Sequence, residues 1–182
     1  MAPTQPKGTF TDPRDGEVYK TVKIGDQTWL AENLNFDCEG SKCYGNDPKN
    51  AEKYGRLYDW ETAKEACPSG WHLPSKEEWD KLIEAVGGSE TAETKLKATS
   101  GWSEKSNGTD NYGFSALPGV FGNSGGRFFV IGPRWWSASE HKYYGGSAYF
   151  CGMGYRCCSI KESAYLDYGS KGYLYSVRCL QD

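Results

Sequence analysis

Histidine and methionine are scarce, two of each in 182 residues. His72 and His141 stand far apart, so a zinc site built on closely spaced histidines is not expected. No run approaches the roughly 18 to 20 apolar residues that cross a bilayer. No charged-then-apolar leader opens the chain either; residues 1–8 read as a linker remnant from which a signal or lipoprotein segment was trimmed, and 9–182 as one domain. A strong charge of one sign is also lacking: 21 Lys and Arg face 24 Asp and Glu, for a net charge of −3. No basic cluster interleaves with the aromatics, which argues against nucleic acid as a partner.

What the chain does hold is glycine and aromatic residues, with 23 Gly, 13 Tyr and 7 Trp. That balance favours short strands and turns over a helical bundle. Seven cysteines, at 38, 43, 67, 151, 157, 158 and 179, suggest an oxidising compartment. Seven is odd, so at least one thiol is free, paired between molecules or held by a metal.

Residues 9–34 read as β structure, with Val18, Val22 and Ile24 at even spacing and turn signals at Asp12 to Gly16 and at Gly25-Asp26. Residues 35–55 look like an irregular surface loop, in which the 38-to-43 offset permits a small disulfide. Two helices follow. Trp60, Ala63 and Cys67 recur at helical spacing behind Asp59 as N-cap, predicting a helix near 60–67. Ser75-Lys-Glu-Glu78 is a capping box, and behind it Trp79, Leu82, Ile83 and Val86 form an apolar stripe ending at Gly87-Gly88, predicting a helix over 75–87. A weaker helical turn lies around Ala92 to Leu96. From Phe114 onward, short apolar pieces between glycines (114–117, 127–131, 135–139, 148–150 and 173–179) are strand candidates in an antiparallel system. The fold class is therefore α+β: two main helices around a twisted, mostly antiparallel sheet.

The passage Asp59-Trp-Glu-Thr-Ala-Lys-Glu-Ala-Cys67, then Gly70-Trp-His-Leu-Pro-Ser-Lys-Glu-Glu-Trp79, resembles C-type-lectin-like domains. It is closer still to their formylglycine-generating-enzyme branch. Five further motifs stand in the right order: Val22-Lys-Ile-Gly-Asp-Gln-Thr-Trp-Leu-Ala-Glu-Asn-Leu34, Tyr54-Gly-Arg-Leu-Tyr58, Gly113-Phe-Ser-Ala-Leu-Pro-Gly119, Trp135-Trp-Ser-Ala-Ser139 and Ser176-Val-Arg-Cys179. With them the chain, from about Gly8 to Asp182, resembles the Fibrobacter succinogenes major paralogous domain. The resemblance implies a C-type-lectin-like fold in a secreted or outer-surface bacterial protein. It also implies a disulfide from Cys67 to Cys179, closing a long loop for which the chain-entropy model gives roughly 4 to 5 kcal/mol. The partner that relatives supply to the Cys43 position is replaced here by Ala51, which leaves Cys38 as the expected partner of Cys43.

Residues 135–175 mix Tyr, Trp, Ser and Gly as binding loops do, because rigid aromatics give contact area while small residues adapt around them. The expected ligand surface is His141, Tyr143, Tyr144, Phe150, Tyr155, Arg156, Tyr165, Asp167, Tyr168 and Tyr173, with Trp135, Tyr149 and Tyr175 assigned to the core. The function expected is an adhesin- or receptor-like domain that binds a protein or glycan at a cell or host surface. Cys151, Cys157 and Cys158 lie among residues reached from an asparagine codon when its adenines are randomised. Related lectin-fold proteins are diversified in that way by retroelements; drift, or a bridge from Cys151 to Cys157 or Cys158, is the alternative. An enzymatic alternative takes Tyr144-Gly-Gly-Ser147 with Cys151 and Cys157 as a loose likeness of the copper(I) thiolate site of formylglycine-generating enzymes. No catalytic residues or cofactor are expected otherwise, beyond Asn107 and Asp110 as weak calcium candidates. The Glu-Pro-Asn and Trp-Asn-Asp signatures of calcium-dependent sugar binding are missing.

Overall fold

The computed structural model describes residues 7–103, 105–130, 132–155 and 162–182, without the side chains of Tyr155 and Glu162. The molecule is α+β, with two curled sheets and four α-helices among the described residues. The first sheet has strand order β1-β2-β3-β12-β5, from β1 (Lys7–Thr11), β2 (Val18–Ile24), β3 (Gln27–Leu30), β5 (Trp71–His72) and β12 (Leu180–Gln181). The second has order β10-β9-β8-β11-β6-β7, from β6 (Phe121–Asn123), β7 (Phe128–Phe129), β8 (Arg134–Glu140), β9 (Ser147–Tyr155), β10 (Glu162–Ser170) and β11 (Tyr173–Ser176). The short β4 (Leu57–Tyr58) also pairs with β11. All these pairs are antiparallel except β8 with β11, which run parallel through Ser176 and Trp135. β1 begins inside the stretch read as linker.

The two expected helices form as α2 (Trp60–Ala66) and α3 (Lys76–Ala85). Asp59 caps the first, accepting from the Thr62 amide at 2.8 Å. Two more were not foreseen at full length. α1 (Pro48–Tyr54) lies in the supposed loop, capped by Asp47 with proline at its first position, and α4 (Ser89–Leu96) extends the weak turn. Residues 114–117 form no strand; Ala116 makes an isolated bridge to Lys97, and Phe114 packs against Trp29 and Trp135.

Alternation along β8 divides the interior. Trp135 enters a core with Trp29, Trp79 and Phe114 beneath α3 and α4, while Trp136 turns to a second core with Tyr58, Trp60 and Tyr175 beside α2. Both indoles are fully buried and keep a polar partner: Trp135 donates to Asn33 Oδ1 and Trp136 to the Tyr58 carbonyl, each at 2.8 Å. The end of the chain stitches the sheets together, since β11 lies inside one and β12 inside the other. Cys67 and Cys179 are joined as expected. Cys38 and Cys43 are not; both carry free thiols. A turn closes at Cys38 through the Ser41 amide and Lys42 then pairs with Leu57; Cys38 packs against the second core, and Cys43 is buried with its thiol free.

Candidate functional site

The segment after β8 positions an exposed aromatic cluster. The register of β8 on β9 shifts between Trp136 and Glu140, a bulge that frees Ser137 to Ser139 from the ladder. Ala138 donates to the Pro74 carbonyl at 2.8 Å and Ser139 Oγ accepts from the Lys76 amide at 2.9 Å, so the start of α3 is fastened to the bulge. His141 follows, and its amide donates to the Ser147 carbonyl to close the turn to β9. Its Nδ1 accepts from the amides of Tyr143, at 3.3 Å, and Tyr144, at 3.2 Å, which holds those residues outward. Two donors on one nitrogen require its lone pair, which assigns the ring proton to Nε2.

Around the buried His141 ring stand Tyr144 at 5.0 Å, Tyr149 at 5.2 Å and Tyr168 at 4.2 Å between centroids, with Tyr143 at 6.1 Å. Tyr144 and Tyr168 stack within 18° of parallel. Tyr143 is 87% exposed, Tyr144 57% and Tyr168 44%, so three rings face solvent over a fixed base. Lys76, ion-paired to Asp80, reaches within 5.8 Å of the Tyr149 ring at the rim. Lys171 ties the other flank, pairing with Glu140 and donating its amide to Gly146.

The ten residues expected to converge do not form one surface. His141, Tyr143, Tyr144 and Tyr168 come together. The ladder of β9 on β10 aligns Tyr149 with Tyr168 and Phe150 with Asp167, so neighbours take opposite faces. Phe150 is buried in the second core, where Tyr165 and Tyr173 pack against it half-buried, and Asp167 shares their side of the ladder. These four are removed from the patch. Tyr149, assigned to the core, belongs to it. The Tyr155 side chain and the whole of Arg156 lie outside the described residues.

Cys151 is fully buried in the first core, and burial pushes its thiol far above the ordinary value. A thiol held protonated in an apolar core offers no accessible copper ligand. Cys157 and Cys158 lie outside the described residues. Asp110 receives the Ser115 amide and hydroxyl, and Asn107 Oδ1 the Trp102 amide, so both calcium candidates serve the loop's own geometry. Among the described residues no three His, Cys, Asp or Glu side chains converge as a metal site. No helix is long and apolar enough to cross a membrane there.

A cavity of about 170 Å³ went unforeseen; Tyr19, Glu32, Asn33, Ala51, Ser115 and Arg178 are among the residues that line it. An arginine inside the apolar terminal segment was its only signal in the sequence. A family model, that of the Fibrobacter succinogenes major domain, matches residues 22–181. No curated protein and no solved structure matches the chain.

Proposed function

The chain belongs to the Fibrobacter succinogenes major domain family, and from that premise we propose that it is a ligand-binding module of C-type-lectin-like fold, of the formylglycine-generating-enzyme branch, exposed at a bacterial surface. Its ligand is a protein or glycan engaged in an adhesin- or receptor-like manner through Tyr143, Tyr144, Tyr149 and Tyr168 over His141. The observation that carries this reading is three solvent-facing tyrosines organised on a buried histidine. Exposed aromatics of this kind cost solubility and are retained where they touch something else. Such rings supply large contact area with few rotors to freeze. The Cys67–Cys179 disulfide is compatible with an extracytoplasmic site. The copper-oxidase alternative gains nothing from the buried Cys151.

Binding to glycan and protein arrays tests the reading. Tyr143→Ala and Tyr168→Ala should each weaken capture by about 1 to 4 kcal/mol, the range of aromatic hot spots, while leaving the melting temperature close to that of the parent. Unfolding of both variants, or capture unchanged by either, would overturn it. Retroelement diversification is a separate proposal, decided by whether a reverse transcriptase and a near-copy of the 3′ coding end, differing at adenines, lie beside the gene.

A further inference from the structure

The final segment is apolar on both flanks of Arg178, and alternation sends Val177 and Cys179 into the second core. Arg178 points to the other side, 1% exposed, with its guanidinium 4.4 Å from the Phe114 ring. Its partners are all neutral. Nε and Nη2 donate to Asn33 Oδ1 at 3.1 and 2.8 Å, and Nη1 donates to the carbonyls of Phe114, at 2.6 Å, and Leu30, at 3.4 Å. A guanidinium has five N–H groups, so among the described residues one hydrogen on Nη2 has no acceptor and the charge has no counter-ion in contact. Burial presses the group's pKa down to about 9, while Glu32 and Asp110 act only through space in the opposite direction. Neither carboxylate bonds to it: Glu32, which lines the same cavity, receives the Lys20 amide at 2.7 Å, and Asp110 is taken by Ser115. Buried charges are ordinarily paired, because an unpaired one keeps its full desolvation cost.

Arg178 lines the cavity, and the cavity shares no residue with the tyrosine patch. We infer that this cavity is a binding site for a small molecule bearing a carboxylate, which lies against the Arg178 guanidinium and supplies the missing acceptor and counter-charge. Its volume of about 170 Å³ is below the roughly 300–1,000 Å³ of drug-sized sites, which restricts the ligand to a small metabolite. The lining is balanced in charge, Lys20, Lys53 and Arg178 with Glu17, Glu32 and Glu52, and Lys20 pairs with Glu32 at 3.8 Å. The attraction for a carboxylate is therefore local to Arg178, and the acidic members tolerate a second, cationic group on the same molecule.

The test uses the intact oxidised chain titrated with acetate, propionate, glycine and alanine. Acetamide, chloride and phosphate at equal ionic strength are the controls. The Arg178 Nε–H resonance, the Asn33 and Ser115 backbone amides and the melting temperature are followed. Carboxylate probes should shift the resonance saturably and raise the melting temperature with the logarithm of concentration, while acetamide does neither. Tighter binding by the amino acids than by the simple acids would identify a zwitterionic ligand, and the reverse a plain acid. Arg178→Lys, which keeps charge but loses the fork, should abolish the saturable shifts at the Asn33 and Ser115 amides. If that variant fails to fold, the double substitution Lys20→Glu and Lys53→Glu, on exposed side chains, decides alone: it should keep the fold and weaken carboxylate binding several-fold. Absence of saturable shifts with every carboxylate, an equal response to acetamide or chloride, or affinity untouched by the rim substitutions would overturn the inference.

Discussion

His72 stands between two carboxylates, with Nδ1 2.7 Å from Asp182 Oδ1 and Nε2 3.0 Å from Glu78 Oε1. Only the imidazolium can donate from both nitrogens. Burial alone would lower the pKa of this group, but the bonds to Asp182 and Glu78 outweigh it and the net shift is upward from 6.5. The stability that His72 contributes is therefore fully present below pH 6.5 and is lost as pH rises through the raised folded value. Glu78 shifts the other way. Burial opposes its ionisation, yet the Ser75 amide and His72 prevail and hold it below 4.5, so its contribution is present above that value and is lost as pH falls through the folded one. His72→Gln should thus be destabilising below pH 6.5 and progressively less so above it, as read by urea unfolding at a series of pH values. A penalty independent of pH would show that the ring acts by packing alone. This clamp was not legible in the sequence, where His72 entered only as one of two histidines far apart and its two partners lie six and 110 residues away. The exchange of Tyr149 for Phe150 in the patch has a similar origin. Which of two adjacent strand positions faces the core depends on the partner strand, and β10, with its mixture of charge, tyrosine and glycine, gave no strand signal.

At the scale of the element, α3 was readable in advance because its determinants are local. Ser75 Oγ accepts from the Glu78 amide at 3.2 Å, Glu78 Oε2 accepts from the Ser75 amide at 2.7 Å, and Trp79, Leu82 and Ile83 are buried on one face. Ser75→Ala removes one half of that box and should cost roughly 0.5 to 2 kcal/mol. The denaturation midpoint should fall with the slope unchanged, because the folded surface is the same; an unchanged midpoint would assign the start of α3 to its contacts with Ala138 and Ser139 instead. α1 escaped notice for the converse reason. Its Asp47-Pro48 start is an ordinary helix signal, but only Ala51 is buried, so no apolar stripe announced the helix behind it. β4, β5 and β12 are two residues each and exist through partners far along the chain. No local pattern encodes such strands. The cavity is of that kind too, drawn from the first strands, α1, Ser115, Leu117 and Arg178.

For the molecule as a whole, the decisive connection is the terminal segment that threads both sheets. The Cys179 carbonyl accepts from the Leu30 amide and the Val177 carbonyl from the Leu34 amide, at 3.0 and 2.9 Å, so the last turns of chain fill the seam between the layers. The Cys67–Cys179 bond fastens that segment to the end of α2 and closes a loop with a sequence separation of 112. In the chain-entropy model a loop of that size removes from the unfolded state the equivalent of about 4 to 5 kcal/mol. Domains are stable by only about 5 to 15 kcal/mol, so this bond accounts for a large share of the margin. The paired substitution Cys67→Ala and Cys179→Ala should therefore lower unfolding free energy by about 4 to 5 kcal/mol, measured by guanidinium denaturation, and should do so without the thiol exchange that reduction would invite at Cys38. The tyrosine patch is built from the turn between β8 and β9 together with β9 and β10, and its rings rest on His141 rather than on the terminal segment. While the variant remains folded, capture through Tyr143 and Tyr168 should persist. The carboxylate response at Arg178, one residue from Cys179, should weaken as the seam loosens. A variant as stable as the parent would mean that the seam is held by packing and that the disulfide adds no more than a local clasp.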